Sequence, residues 1–320
     1  MENILKSKIQ YGFLSKRDKA FPSMVAVKIT NVCNLECIHC PYSFISKEKN
    51  YTPRHMKWEL YERIVTEVAR HKGTIFRILC DGEPLKHPLF LDMIKFTKKK
   101  GISPMNFITN GMLLDEKMAV GILEAGVEVV EISLDAFAKS TYESIRKGAS
   151  YEQVISNVFR FIGLRNKMKA NTKIMVSIID QPEVTAEMDI FVKYWGAIVD
   201  RVITRVYTAI GGLVDGSKMK IDNKGERWPC PQLWRRIFIN VDGFAEFCVE
   251  DWRNETIIGD VNMDSIKDIW HSLEYDKIRQ LHLSGKFGQI AYCKKCKDWK
   301  AREWQHDYFY ALNRVLGIKG

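Results

Sequence analysis

The sequence predicts an α/β protein: a partial (β/α)6 TIM-like barrel with a small C-terminal α+β extension. Three observations predict it. Six short β-branched runs alternate with helical sequence over roughly the first 210 residues, a rhythm that implies parallel strands and right-handed crossovers. Residues with chemical potential fall just after four of those runs, and barrel chemistry sits on the loops at the C-terminal ends of strands. From about Gly211 the alternation stops, and a hairpin turning at Asp242-Gly243 and a scatter of cysteines replace it.

The elements follow in order. Met24 to Thr30 reads as the first strand. A helix is expected over 55–71, a strand from Thr74 to Cys80, and a helix from Pro88 to Lys100 that Gly101 ends. Asn106 to Thr109 reads as a strand, and Asp115 to Glu124 as a helix. Val127 to Leu134 is the fourth strand, with helical sequence running on to Asn166. Lys173 to Ile179 is the fifth, a helix starts at Thr185, and Val202 to Tyr207 closes the series. Ile237 to Phe247 reads as the hairpin, and 265–272 and 274–283 as helices. Trp299 to Val315 reads as one aromatic-rich helix, with Trp299, Trp304, Tyr308 and Tyr310 as packing residues. The expected organisation is an N-terminal segment (1–22), a barrel (23–210), a linker (211–227), a cysteine-bearing extension (228–300) and a C-terminal helix (301–320).

Composition narrows the class. The chain has 320 residues, 46% hydrophobic and 28% charged, which supports a packed core and excludes wholesale disorder. No apolar run is long enough to span a membrane, and the polar first nineteen residues lack a signal-peptide stretch, so a cytoplasmic protein is expected. The net charge of +10 fits a solvated basic surface, and no Lys/Arg block is dense enough to argue for nucleic acid. Eight cysteines without an export signal point to metal rather than disulfides.

Cys33-x3-Cys37-x2-Cys40 follows the first strand. Three soft thiolates can bind three corners of an iron–sulfur cube and leave one iron open for chemistry. A structural zinc site, the alternative, normally wants four ligands, and no fourth cysteine is nearby. Cys230, Cys248, Cys293 and Cys296 form a later set that can close a second cluster or a four-thiolate zinc site. Asp81-Gly82-Glu83-Pro84, Thr109-Asn110-Gly111 and Ser133-Leu134-Asp135 follow or end strands two to four.

The run from Cys33 to Tyr42 resembles the signature of the radical S-adenosyl-L-methionine (SAM) superfamily, and the likeness extends over about residues 20–210. It implies a [4Fe–4S] cluster on Cys33, Cys37 and Cys40 whose fourth iron is chelated by SAM. One electron then splits SAM, and a 5′-deoxyadenosyl radical abstracts hydrogen from substrate. By the same resemblance Gly82 and Glu83 accept from the methionyl ammonium, with Asp81 where the family often has another glycine. Ser133 and Asp135 meet ribose hydroxyls, with Asn110 and Ser177 as further candidates. Arg146 meets the methionyl carboxylate unless it is a solvated helix residue. His39 lies near the adenine, and Tyr42 shields the cluster or simply packs.

Cys230-x12-Gly243-x4-Cys248 with Cys293-x2-Cys296 resembles the SPASM/twitch extension. The fuller pattern has cysteines where Arg302 and His306 stand, so one auxiliary [4Fe–4S] cluster is expected, as in enzymes of the 2-deoxy-scyllo-inosamine dehydrogenase type. Four further residues are candidates for substrate chemistry. Glu250 and Asp251 can take a proton. Arg205 can grip an anionic or hydroxylated substrate, against a surface salt bridge. Cys80 can return a hydrogen atom, against a buried free thiol. The implied function is two-electron oxidation of a small polar, sugar- or aminocyclitol-like substrate, with the auxiliary cluster taking an electron. Peptide modification, epimerisation and a non-catalytic zinc or RNA-binding module are the alternatives. The implied partners are a small-molecule or peptide substrate and a reducing donor such as flavodoxin or ferredoxin.

Overall fold

The computed structural model describes residues 10–221, 225–304 and 308–317. The expectations that fall on 1–9, on Asn223 and Lys224 of the linker and on His306 lie outside the described residues. In chain order the elements are α1 (Lys16–Ala20), β1 (Met24–Lys28), α2 (Tyr42–Ile45), α3 (Trp58–Val68), β2 (Ile75–Leu79), α4 (Phe90–Lys99), β3 (Met105–Thr109), α5 (Glu116–Ala125), β4 (Val129–Ser133), α6 (Lys139–Ile145), α7 (Tyr151–Lys167), β5 (Lys173–Asp180), α8 (Met188–Gly196) and β6 (Arg201–Val206). The extension adds β7 (Arg236–Ile239), β8 (Phe244–Glu246), β9 (Ile257–Asp260), α9 (Ile266–Trp270), α10 (Leu273–Leu283), α11 (Ala291–Lys294) and α12 (Tyr308–Leu316).

The six expected strands form, and all pair in parallel in the order β6-β5-β4-β3-β2-β1. β1 is buried along its whole length, as a strand covered on both faces must be. α3 buries Leu60, Tyr61, Ile64, Val65 and Val68, one stripe at helical spacing, on the outside of the sheet. Local signals set the ends. Asp115 caps α5 by accepting from the Met118 amide at 2.8 Å, and Gly126 stops the helix in the left-handed region.

Alternation sorts the strands into two faces. Met24, Ile75, Val129 and Met175 form an apolar cluster with Leu312, against which Ile203, Phe309, Val315 and Leu316 pack. α12 therefore closes the end of the barrel where the strands begin. Two residues further along the strands the same face turns polar: Arg77 on β2, Glu131 on β4, Ser177 on β5 and Arg205 on β6. These residues occupy the barrel interior.

The extension is joined to the barrel through its backbone. β7 pairs parallel with β1, then β8 and β9 add antiparallel, so nine strands make one sheet. The third strand, β9, and the β1–β7 junction were not expected from the sequence. The Asp242-Gly243 hairpin is present. Gly243 has φ +96°, a backbone conformation that side chains rarely adopt, and a Cβ there would also press on Asn262 Nδ2 at 2.5 Å.

Three helical expectations change. The stretch to Asn166 splits at Gly148 (φ +89°) into α6 and α7. The helix expected from Thr185 begins at Met188, after a 3-10 turn over Pro182–Val184. The single helix over 299–315 is broken: a 3-10 turn covers Asp298–Ala301, non-helical backbone follows through 304, and α12 starts at Tyr308. Tertiary anchors override propensity there. Trp304 donates its indole N–H to the Pro229 carbonyl at 2.7 Å, and Trp228 donates to the Arg302 carbonyl at 2.8 Å. Trp304 is buried and Trp299 packs edge-on to Trp228, as packing residues should. The side chains of Tyr308 and Tyr310 lie outside the described residues.

Candidate cluster and cofactor site

The three early cysteines sit on a loop braced from several directions. The Glu36 and Ile38 amides donate to the Lys147 and Ile145 carbonyls, each at 2.9 Å, pinning the loop to the end of α6. Tyr42 donates its hydroxyl to the Cys33 carbonyl at 3.2 Å, and Ser43 to the Cys40 carbonyl at 2.9 Å. Arg146 Nη1 and Asn110 Nδ2 each stand 4.0 Å from a thiol, Cys37 and Cys33 respectively. Burial pushes the Cys33 thiol up to about 12 and raises Cys37 and Cys40 too, with Arg146 opposing at Cys37. Such thiols ionise when a metal takes the proton's place.

The loop after β2 presses against this one. The Glu83 amide donates to the Val32 carbonyl at 2.8 Å, and a Cβ on Gly82 would lie 2.2 Å from that same oxygen. Only glycine allows the approach. The Glu83 carboxylate accepts from the Thr109 hydroxyl at 2.6 Å, the Asn110 amide at 2.7 Å and the Leu85 amide at 3.2 Å. Burial raises its pKa to about 7 against those three donors. Glu83 thus ties the loops after β2 and β3 together. Asn110 continues the link by donating to Asn34 Oδ1 at 2.9 Å.

Asp135 is buried in the left-handed region (φ +60°). It accepts from the Ile179 amide at 3.0 Å, pairs with Arg146, and lies 3.6 Å from His39 Nε2. Arg146 is therefore buried at the cysteine loop and is not a solvated helix residue. Its Nε and His39 Nδ1 are buried without a partner among the described residues, and they fit a polar group docking beside the thiols. Ser133 is half-buried at the end of β4, and the Ser177 carbonyl accepts from the Leu134 and Asp135 amides at 3.0 and 3.1 Å.

Cys230, Cys248, Cys293 and Cys296, spread over nearly seventy positions, line one cavity of about 30 Å³. The Cys296 amide donates to the Cys293 carbonyl at 3.1 Å, and Arg227 to the same oxygen at 2.8 Å. His282 accepts from the Cys230 amide at Nδ1 (3.2 Å), which leaves the proton on Nε2, and Nε2 is buried with no partner among the described residues. Among the described residues no three His, Cys, Asp or Glu side chains gather around a point suited to one ion. The four thiols line one space, a donor set that fits an iron–sulfur core.

The substrate candidates divide. Glu250 pairs with Arg302 and lines both this cavity and a second one of about 630 Å³ in the barrel interior. Asp251 is buried and accepts from the Arg253, Glu255 and Thr256 amides and the Thr256 hydroxyl, so it shapes the loop after Cys248, and it is absent from the lining of both cavities. Arg205 lines the large cavity and grips the fully buried Glu131, so its partner is interior rather than a surface acid. Cys80, half-buried, is absent from the lining of that cavity.

Sequence reasoning missed Lys28. Buried at the end of β1, its Nζ lies 3.2 Å from Asp81 Oδ2 and 2.9 Å from Glu246 Oε2, and donates to the Asp251 carbonyl at 2.7 Å. One ammonium thus ties the Gly82 loop to both sides of Cys248. A lysine closing a strand carries no marking in sequence; only the β1–β7 pairing brings its acids together. Arg77 and Glu131, which form an interior ion pair at 3.4 Å, were missed for the same reason.

The family model for the radical SAM superfamily matches residues 27–183, and that for SPASM, an iron–sulfur cluster-binding domain, matches residues 230–297. GTP 3′,8-cyclase of Petrotoga mobilis is 31% identical over 180 residues, 52% of this chain and 53% of that protein. The chain thus spans about half the length of the curated relatives it matches first. The S-adenosyl-L-methionine-dependent 2-deoxy-scyllo-inosamine dehydrogenase of Niallia circulans is 24% identical over 298 residues, 91% of this chain and 99% of that one. Two solved structures share the fold. BtrN in complex with AdoMet and 2-DOIA has a TM-score of 0.61 at 21% identity, over 90% of this chain and 98% of its own. Streptococcus suis SuiB bound to its precursor peptide SuiA has a TM-score of 0.67 at 15% identity, over 81% and 67%.

Proposed function

This chain belongs to the radical SAM superfamily and carries a SPASM domain, and from that premise we propose that it oxidises a small hydroxylated substrate by two electrons. When bound, the first cluster and SAM supply a 5′-deoxyadenosyl radical that takes a hydrogen atom, and the auxiliary cluster supplies an acceptor for the second electron. The observation that carries the reading is the wall shared by the two cavities. Gln232, Glu250 and Arg302 border both the four-cysteine cavity and the barrel interior, and His39 of the three-cysteine loop lines the interior too. A molecule in that interior would lie between the two cysteine sites.

The chain's own residues have distinct tasks in this scheme. Cys33, Cys37 and Cys40 hold the first cluster, and Cys230, Cys248, Cys293 and Cys296 the second. Gly82 permits the close approach that sets the methionyl site, and Glu83 fixes the loops around it. Arg146 and Asp135 orient one another beside the thiols, and His39 closes the side of the nucleotide pocket. Glu250, on the shared wall, is the group to take the proton released as the carbinol is oxidised. The absence of Cys80 from the cavity lining favours oxidation over thiol-dependent epimerisation. A small electron-transfer protein of the flavodoxin or ferredoxin kind would reduce the first cluster.

The test is anaerobic reconstitution followed by an assay for 5′-deoxyadenosine. About eight irons per chain are expected. Replacing Cys33, Cys37 and Cys40 together with alanine should abolish SAM cleavage. Two zinc ions and no iron, or cleavage that persists in the triple variant, would overturn the assignment.

A further inference from the structure

Helix α10 turns one stripe inward. Tyr275, Ile278, Arg279 and His282 recur at helical spacing and are its buried residues. Tyr275 donates to the Arg236 carbonyl, and Arg279 to the Leu233 and Trp270 carbonyls. His282, in the last turn, is 1% exposed and lines the four-cysteine cavity.

The two ring nitrogens of His282 differ. Nδ1 accepts from the Cys230 amide at 3.2 Å, so the ring is neutral and its single proton sits on Nε2. Nε2 is buried and has no hydrogen-bond partner among the described residues. Burying such a donor is costly unless an acceptor answers it. The ring of Phe287 stands at 78° to the imidazole, with centroids 5.1 Å apart, and 4.4 Å under the Arg227 guanidinium, so the imidazole is held in place.

The acceptors that the cavity offers are mostly engaged. Arg302 pairs with Glu250, and the Ala209 and Gly211 amides donate to Asp298. Gln232 Oε1 is itself buried without a partner among the described residues, so it does not meet Nε2. The sulfurs of Cys230, Cys248, Cys293 and Cys296 remain, and Gln232 Nε2 already stands 3.9 Å from Cys230 Sγ.

Resting on the reading above, in which these four cysteines hold the electron-accepting cluster, we infer that His282 donates its Nε2–H to a sulfur of that cluster and thereby raises its reduction potential. An electron taken up adds negative charge to the sulfurs, and an N–H donor there favours the reduced state. The electron comes from the substrate radical as its proton passes to Glu250, so the step balances with no further reactant. His282 is absent from the lining of the barrel interior, so it acts on the acceptor and not on the substrate.

The test isolates the auxiliary cluster. The variant with Cys33, Cys37 and Cys40 replaced by alanine, reconstituted anaerobically, should hold about four irons per chain. A redox titration followed by electron paramagnetic resonance reads its potential. His282→Asn keeps an acceptor for the Cys230 amide and removes the Nε2 donor. At a fixed solution potential it should lower the ratio of reduced to oxidised cluster at least tenfold, a fall of about 59 mV for one electron. A histidine needed only to cap that amide would leave the potential where it was. A second measurement leaves His282 in place. His282 is the histidine on the cavity lining, so protein labelled with nitrogen-15 at histidine should show a hyperfine coupling to that nucleus in the reduced cluster. An unchanged potential in an iron-loaded His282→Asn variant, or no such coupling, overturns the inference. Late cysteines that take up no iron would defeat the cluster reading itself, whereas iron with an unmoved potential defeats the role of His282 alone.

Discussion

At the scale of single residues, the site depends on contacts that admit little substitution. A Cβ at Gly82 would collide with the Val32 backbone next to Cys33, so Gly82→Ala must force two loops apart. We expect a loss of about 3 kcal/mol in apo-protein stability and, after reconstitution, loss of SAM binding measured by equilibrium dialysis. Retention of wild-type binding would show that the loops can separate without consequence. Glu131 gives a pH signature. Its pKa in the fold is depressed to about 2, below the unfolded value, so its ion pairs stabilise the protein above about pH 4.5 and that contribution fades as pH falls toward 2. Denaturant titrations of wild type and Glu131→Gln should therefore differ most near neutrality and converge in acid; a constant gap would contradict the pairing. The cysteine trio and Gly82 drew attention in sequence through thiol spacing and a motif resemblance; the steric reason for Gly82, its contact with the Val32 backbone, needed the fold. What sequence could not show of Asp251, a candidate because it neighbours Cys248, is that four local donors already occupy its carboxylate.

At the scale of elements, the strands were the most legible part. Each of β1 to β6 is a β-branched run bounded by turn residues, and all six appear within two residues of expectation. The helices that failed were those whose ends tertiary contacts decide. Asp298 accepts from the Ala209 and Gly211 amides at 2.6 and 2.8 Å, anchoring a 3-10 turn where helical propensity continued. β9 escaped notice because it is only four residues long and is recruited by β8. The best test of an element concerns α12. Leu312 is completely buried in the apolar floor, and Leu312→Ala should cost about 2–5 kcal/mol in unfolding free energy. An effect under about 0.5 kcal/mol would mean that the helix does not seat there.

At the scale of the whole molecule, Lys28 joins the two cysteine-bearing units through one buried charge. Removing it strands Asp81 and Glu246 as unpaired acids on either side of the β1–β7 seam. Lys28→Met is expected to lower iron content from about eight to about four per chain, while 5′-deoxyadenosine formation continues at the first cluster. The triple variant Lys28→Met with Asp81→Asn and Glu246→Gln removes the repulsion and should recover the fold without restoring the link. Full iron loading in that variant would show that packing alone aligns the late cysteines. None of this was visible in sequence, since Lys28 and Glu246 are more than two hundred positions apart. The apolar floor laid down by the last helix has a different consequence. It gives the chamber a blind end: the floor of Met24, Ile75, Val129, Met175 and Leu312 sets how deep anything entering from the cysteine side can reach.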